Sequence, residues 1–156
     1  MYEWAAMPRV WAVHQAVKVN DGQATQMLID PSVDLATRTF STVSPPALAQ
    51  CGGSDAVVLK LHLPNRVSID ATMACRGLVI LNDQYFPGWH AYVDEKEAPI
   101  IDAYGLVRGV PVDAGNHTVE FRYRPASVMW GAMLTLFGSL IALTAAVRRT
   151  SIAHTL

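Results

Sequence analysis

An excess of charge is the first thing missing from this chain. Twelve Lys and Arg stand against thirteen Asp and Glu, a formal net charge of −1, and neither sign forms a run. A nucleic-acid binder needs a basic face to neutralise phosphates, so the balance argues against that class, and the charges read as an ordinary solvated surface. Catalytic signatures are missing too. There is no Walker-type Gly loop, no G-x-S-x-G, no H-E-x-x-H and no C-x-x-C. His14, His62, His90, His117 and His154 are scattered without a metal-ligand spacing, so neither a metal nor a cofactor is expected. No internal repeat or low-complexity tract is present. The opening MYEWAAMPRVW lacks the basic region and unbroken apolar stretch of a signal peptide. On its own, such a chain would be anchored by its tail with its domain in the cytoplasm. As the end of a longer polytopic protein, its domain could lie outside.

The longest absence is local. Val128 to Val147, VMWGAMLTLFGSLIALTAAV, holds no charged side chain. At ~1.5 Å per residue a helix of this length spans roughly 30 Å, the thickness of a bilayer's hydrocarbon core. A chain of 156 residues has too little remaining mass to wrap a helix that is apolar all round. Trp130 and the pair Arg148-Arg149 are suitable interfacial anchors, while Arg122 and Arg124 balance the basic count on the other side. Charge therefore leaves the orientation open. Small residues recur at four-residue spacing in Gly131, Thr135 and Ser139, and again in Gly138, Ala142 and Ala146. That pattern lets a second helix approach closely, although small residues are common in membrane helices generally.

Ahead of this helix the pattern is that of strands. Arg9 to Val19 reads as a strand broken near His14-Gln15, and Gln23 to Ile29 as one or two helical turns capped by Asp21. Thr37 to Val43 alternates, and Ser44 to Ser54, with two prolines and two glycines, is a loop. Val57 to Leu63 and Arg66 to Met73 form a hairpin around Pro64-Asn65, with Val57, Leu59, Leu61 and Leu63 on one face. Gly77 to Asn82 suits a central strand. Trp89 to Asp94, Ala98 to Ala103, Leu106 to Val112 and His117 to Tyr123 follow, separated by turn signals. The expected architecture is mainly β: an antiparallel β-sandwich or jelly-roll-like domain over 1–125, a transmembrane helix over 126–149 and a short tail over 150–156.

Three groups of side chains are candidates for function. Tyr85, Phe86, Trp89, Tyr92 and Tyr104 offer aromatic faces that suit a sugar or a lipid headgroup. Trp89 shares a face with Ala91 and Val93 and is assigned to the core, which leaves Tyr85, Tyr92 and Tyr104 as ligand candidates. Asp83, Asp94, Glu95 and Glu97 are the densest carboxylates; paired carboxylates can do acid–base work on a glycosidic bond, but Asp94 to Glu97 read as a solvated hairpin tip. Asp94 is retained as a ligand candidate. Cys51 and Cys75 bracket the hairpin. Counting pairs outward from Pro64-Asn65 sets position 51 opposite 78 and position 75 opposite 54, so both cysteines lie at its open end within reach of a disulfide.

The segment from Asn82 to Pro125 carries a family resemblance. Its elements are Tyr85-Phe86-Pro87-Gly88-Trp89-His90-Ala91-Tyr92-Val93-Asp94, Gly105-Leu106-Val107-Arg108-Gly109-Val110-Pro111-Val112, and Ala114-Gly115-Asn116-His117-Thr118-Val119-Glu120-Phe121-Arg122-Tyr123-Arg124-Pro125. Leu63-Pro64-Asn65-Arg66-Val67 and Pro8-Arg9-Val10-Trp11 add to it. The chain resembles the C-terminal β-domain and last membrane helix of the YfhO-type bacterial membrane proteins. One departure is Glu95, where that family usually has Gly after Val-Asp. The resemblance implies kinship with large polytopic glycosyltransferases that use lipid-phosphate sugars, whose catalytic acid lies near the start of the chain in a part with no counterpart here. It further implies a domain outside the cytoplasm, at the bacterial inner membrane, with Arg148-Arg149 on the cytoplasmic side.

The function expected from these readings is accessory rather than catalytic: packing over a membrane-embedded catalytic part, or contacting a lipid-linked sugar or glycan. The alternative is a single-span structural subunit whose helix docks on other transmembrane helices through Gly131, Thr135, Gly138, Ser139 and Ala142. The expected partners are membrane lipid, other transmembrane helices and a lipid-linked sugar or glycan, with no nucleic acid.

Overall fold

A computed structural model describes the backbone of residues 7–153 and the side chains of residues 7–144. Its contacts divide the chain into two compact units, Met1–Tyr123 and Arg124–Leu156. The first is β-rich; the second holds one helix among its described residues.

The N-terminal apolar run breaks where its pattern does. β1 (Val10–Val13) and β2 (Gln15–Lys18) are separated only by His14. They enter different sheets: β1 pairs antiparallel with β6 (Gly77–Gln84), and β2 pairs parallel with β3 (Arg38–Ser41). Between them lies α1 (Asp21–Ile29). Its N-cap is Asn20 rather than Asp21. The Asn20 side chain accepts from the Gln23 N–H, and Gln23 reaches back to the Asn20 N–H, a reciprocal capping box that Asp21 cannot make one position later.

Two antiparallel sheets carry the rest. The four-stranded sheet has the order β1-β6-β10-β9, with β9 at Ile101–Ala103 and β10 at Val107–Val112. The five-stranded sheet has the order β4-β5-β11-β7-β8, with β4 at Ala56–Leu63, β5 at Arg66–Met73, β7 at Trp89–Val93, β8 at Lys96–Ala98 and β11 at Gly115–Tyr123. The run expected over Ala98 to Ala103 is split at Pro99-Ile100, where the chain passes from one sheet to the other. Pro99 lacks the N–H a ladder needs, which suits such a crossing.

Side chains from both sheets interdigitate in one core. Val67, Ile69, Ala71 and Met73 of β5, Val119 and Phe121 of β11 and Ala91 of β7 meet Val79 and Leu81 of β6 and Val110 and Val112 of β10. A second core lies on the far side of the four-stranded sheet. There Leu78, Ile80, Ile101, Ala103, Tyr104 and Val107 pack against Phe40, Val13, Val19 and Ala24. β6 is thus covered on both faces, which explains why GLVIL reads as a continuous apolar run rather than an alternation.

The hairpin forms as expected with one change. The β4–β5 register shifts between Leu59 and Leu61, leaving Lys60 as an extra residue. A bulge of this kind reverses facing along the rest of a strand. Val57 and Leu59 pack on the core, but Leu61 and Leu63 are exposed. The single apolar face expected for Val57, Leu59, Leu61 and Leu63 is therefore divided in two, and His62 takes the inward side opposite Val67.

At the other hairpin, Val93 pairs with Lys96 across Asp94-Glu95. Both turn residues have positive φ, 49° and 65°, as a two-residue type I′ turn requires. Glu95 thus occupies a left-handed position that suits Gly, and the tight turn forms all the same.

α2 runs Ala126–Ala153. Its stretch Ala126–Thr144 is long and apolar enough to cross a membrane, with a mean hydropathy of 1.8 and none of it buried. The side chains of Arg148 and Arg149, and the end of the expected tail, lie outside the described residues.

Candidate functional site

The structure brings two of the four ligand candidates together and separates the others. Tyr92 lies on β7 and Asp94 in the turn that follows it, both at the outer face of the five-stranded sheet beside the matching row of β11. A shallow depression of about 370 Å³ opens there, lined by Arg66, Ser68, Asp94, Glu95, Thr118 and Glu120. Tyr104 lies instead in the second core, 7% exposed, its hydroxyl donating to the Leu35 carbonyl at 2.6 Å. Tyr85 follows β6 and is exposed beside Phe86.

Ions organise the depression. Glu120 is nearly buried and accepts from Arg122 Nε at 2.6 Å and from Arg66 Nε. Burial opposes its charged form, but the hydrogen bonds from Arg122 and Arg66 outweigh that and hold its carboxyl below the usual range. Arg122 also reaches Glu95 at 3.1 Å and lies 4.6 Å from the centroid of the Tyr92 ring. One face of Tyr92 is therefore already taken by a cation. Asp94 accepts from the Thr118 N–H at 2.9 Å, and its other oxygen lies 2.6 Å from His117 Nδ1. The His117 contact and the Thr118 N–H lower the Asp94 carboxyl, and the same contact with Asp94 raises the His117 imidazole. This arrangement offers fixed donors and acceptors of both signs, suited to a hydroxyl-rich ligand that can donate and accept.

A second ionic group was not apparent from sequence spacing. Arg108 continues the inner row of β10 and is 3% exposed, with its guanidinium 4.0 Å from the centroid of Trp89. Asp83 continues the inner row of β6 and meets Arg108 Nη2 at 3.2 Å and Arg9 Nη2 at 2.8 Å. His62, turned inward by the bulge, lies 3.1 Å from the same carboxylate. Burial pushes the Arg108 guanidinium down, Asp83 offsets part of that effect, and Arg9 adds to it. The signal was present in the strand alternation: Asp83 and Arg108 each extend an apolar inward row by two residues. Asp83 is thus separate from Asp94, Glu95 and Glu97, with which it had been grouped by sequence. Trp89 packs against the sandwich core as assigned, and it meets Phe86 and Tyr123 ring to ring at 6.4 and 5.3 Å.

Cys51 and Cys75 form a disulfide with their Cα atoms 6.3 Å apart. On α2, Gly131, Thr135, Gly138, Ser139 and Ala142 fall on one face by spacing. The Thr135 hydroxyl donates to the Gly131 carbonyl at 2.9 Å and that of Ser139 to the Thr135 carbonyl at 2.8 Å. An added Cβ at Gly131 or Gly138 would meet nothing within 4 Å.

No curated protein and no solved structure matches this chain. A family model does: residues 49–135, more than half of the sequence, match the family described as bacterial membrane protein YfhO. The matched span starts in the cysteine loop, takes in every strand from β4 to β11 and the Tyr92–Asp94 depression, and ends inside the apolar helix. The chain belongs to the YfhO family of bacterial membrane proteins.

Proposed function

We propose that this chain is an accessory part of a YfhO-type membrane glycosyltransferase, with its β-domain outside the cytoplasm of a bacterial inner membrane and α2 as a membrane span. Its task is to contact the glycan or the headgroup of a lipid-linked sugar, not to catalyse transfer alone. The observation that carries this reading is the depression around Asp94, where Arg66, Glu95 and Glu120 bring together polar groups of both signs, with Arg122 behind them bridging Glu95, Glu120 and one face of Tyr92. Ionic side chains engage a sugar's hydroxyls, and the face of Tyr92 that Arg122 does not cover can engage its apolar patches. Family membership and the apolar helix support the membrane setting. The exposed small residues of α2 leave room for another helix of the same assembly.

The test uses the full chain in detergent. Binding of oligosaccharides and of vesicles carrying a polyprenyl-phosphate sugar is compared for wild type, Tyr92→Ala and Glu95→Gln. Loss of roughly tenfold in affinity in either variant is expected. Unchanged binding in both variants removes the depression from function. Sugar transfer by the purified chain without another subunit overturns the accessory assignment. Binding to neither probe, together with co-purification of partner membrane proteins, favours a purely structural subunit.

A further inference from the structure

The corner that holds the disulfide contains a third metal-ligating group. His14 Nδ1 lies 3.6 Å from Cys75 Sγ, and one ligand atom each from His14, Cys51 and Cys75 fall within 4.8 Å of one another. We propose that reduction of Cys51–Cys75 by a dithiol turns this corner into a Zn²⁺ site with Cys51 Sγ, Cys75 Sγ and His14 Nδ1 as ligands and a fourth position open to water.

Two independent features support the assignment. The first is the group behind the histidine. His14 Nε2 is 2.6 Å from Asp55 Oδ2, and the other Asp55 oxygen accepts from the Ala74 N–H at 2.9 Å. A carboxylate on the far ring nitrogen holds the proton there and turns the near nitrogen's lone pair toward the metal, as behind most ligating histidines. The Arg76 carbonyl, 3.3 Å from Nδ1, is the weaker competing partner that a metal displaces. The second feature is space. A Cβ at Gly77 would sit 2.8 Å from His14 Cε1 and 2.9 Å from its Nδ1, so the absence of a side chain there is what admits the ring. On the other side, Cys51 is exposed in its loop, and a Cβ on the adjacent Gly52 would meet nothing within 4 Å. That sulfur has room to turn to the separation of about 3.8 Å that two thiolates take on tetrahedral zinc.

The chemistry balances with a dithiol donor. One donor thiolate attacks the exposed Cys51 sulfur, the Cys51–Cys75 bond breaks, and Cys75 leaves as a thiolate that takes up a proton. The donor's second thiol then attacks the mixed disulfide, releases Cys51 and closes the donor's own disulfide. Two electrons and two protons have passed to the chain. Zn²⁺ binding expels both protons, since only thiolates ligate. Two thiolates and one imidazole match a soft tetrahedral ion rather than Mg²⁺ or Ca²⁺.

The full chain in detergent is reduced, freed of reductant and titrated anaerobically with Co²⁺ and then Zn²⁺. One Co²⁺ per chain with the visible absorption of a tetrahedral thiolate site, displaced by Zn²⁺, is expected from the reduced form and not from the oxidised form. Zn²⁺ should also raise the thermal midpoint of the reduced chain alone. Asp55→Asn should weaken Zn²⁺ binding about tenfold, and His14→Ala by more. Failure of the reduced wild type to take up Co²⁺ or Zn²⁺ overturns the proposal, whatever the variants do. So does uptake that His14→Ala leaves unchanged, since that is adventitious chelation by two thiols.

Discussion

At the scale of single residues, the ionic pairs differ in kind. Asp83 and Arg108 pair a partly buried carboxylate with a buried guanidinium, 17% and 3% exposed. Removing Asp83 leaves the buried Arg108 cation without its ion-pair partner, a loss of about 3 kcal/mol or more. Asp83→Ala should therefore lower the thermal midpoint of the β-domain strongly, followed by near-ultraviolet circular dichroism. Arg108→Met, which removes the buried cation, keeps an apolar stem over Trp89 and leaves Asp83 its contacts with Arg9 and His62, should cost much less. His117 and Asp94 form a half-exposed pair with a pH signature instead. The imidazole's ordinary value is 6.5 and is raised in the fold. Its contribution is complete below 6.5 and fades as pH rises through the raised value. The carboxyl's ordinary value is 3.8 and is lowered. Its contribution is complete above 3.8 and fades as pH falls through the lowered value. The two overlap fully between about pH 4 and pH 6.5. The difference in thermal midpoint between wild type and His117→Ala should be greatest in that window and shrink on either side. Strand alternation can place Asp83 and Arg108 on inward rows, but neither pairing was legible in the sequence, because partners 25 and 23 positions apart meet only after the sheets have formed.

At the scale of elements, strands were the most legible part. The alternation around Pro64-Asn65 set that hairpin, the break at His14 set the boundary of β1 and β2, and the unbroken GLVIL set a central strand. What escaped was local geometry that does not alter the letters. Nothing in AVVLKLHL announces that Lys60 is an extra residue, yet that one insertion exposes Leu61 and Leu63 and turns His62 inward. Of the candidate site, Tyr92 and Asp94 were placed on one face by period two, while Tyr104 carried no sign that its neighbourhood was a second core. The cysteine loop makes a further prediction. Its 24-residue separation corresponds to about 3.5 kcal/mol of lost unfolded-state freedom in the chain-entropy account. Reduction without metal should lower the thermal midpoint accordingly, and Gly77→Ala, which crowds His14 and Met73, should lower it whether or not the bridge is closed.

At the scale of the whole molecule, the family match and the folded unit have different limits. Residues 49–135 match the family, but β1, β2, β3 and α1 come from earlier in the chain and supply Val13, Val19, Ala24 and Phe40 to the second core. A chain begun at Ser44 would leave Leu78, Ile80 and Val107 facing water and β6 without a neighbour on one side. It should aggregate on size-exclusion chromatography, whereas a chain from Met7 to Arg124 should not. The full chain should sediment with membranes when cells are lysed without detergent.

The double covering of β6 also has a consequence in time. Its backbone amides are paired alternately to β1 on one side and β10 on the other, and over Gly77 to Leu81 neither face of the strand touches water. Fraying of β1, an edge strand, frees the amides turned to it, but those of Val79 and Leu81 alternate with the β1-facing amide of Asn82 and point to β10. Deuterium should therefore enter Val79 and Leu81 last of all among the β-domain amides, at a rate set by opening of the entire domain. Those two positions act as a clock for global unfolding, against which the loosening caused by any substitution elsewhere can be timed.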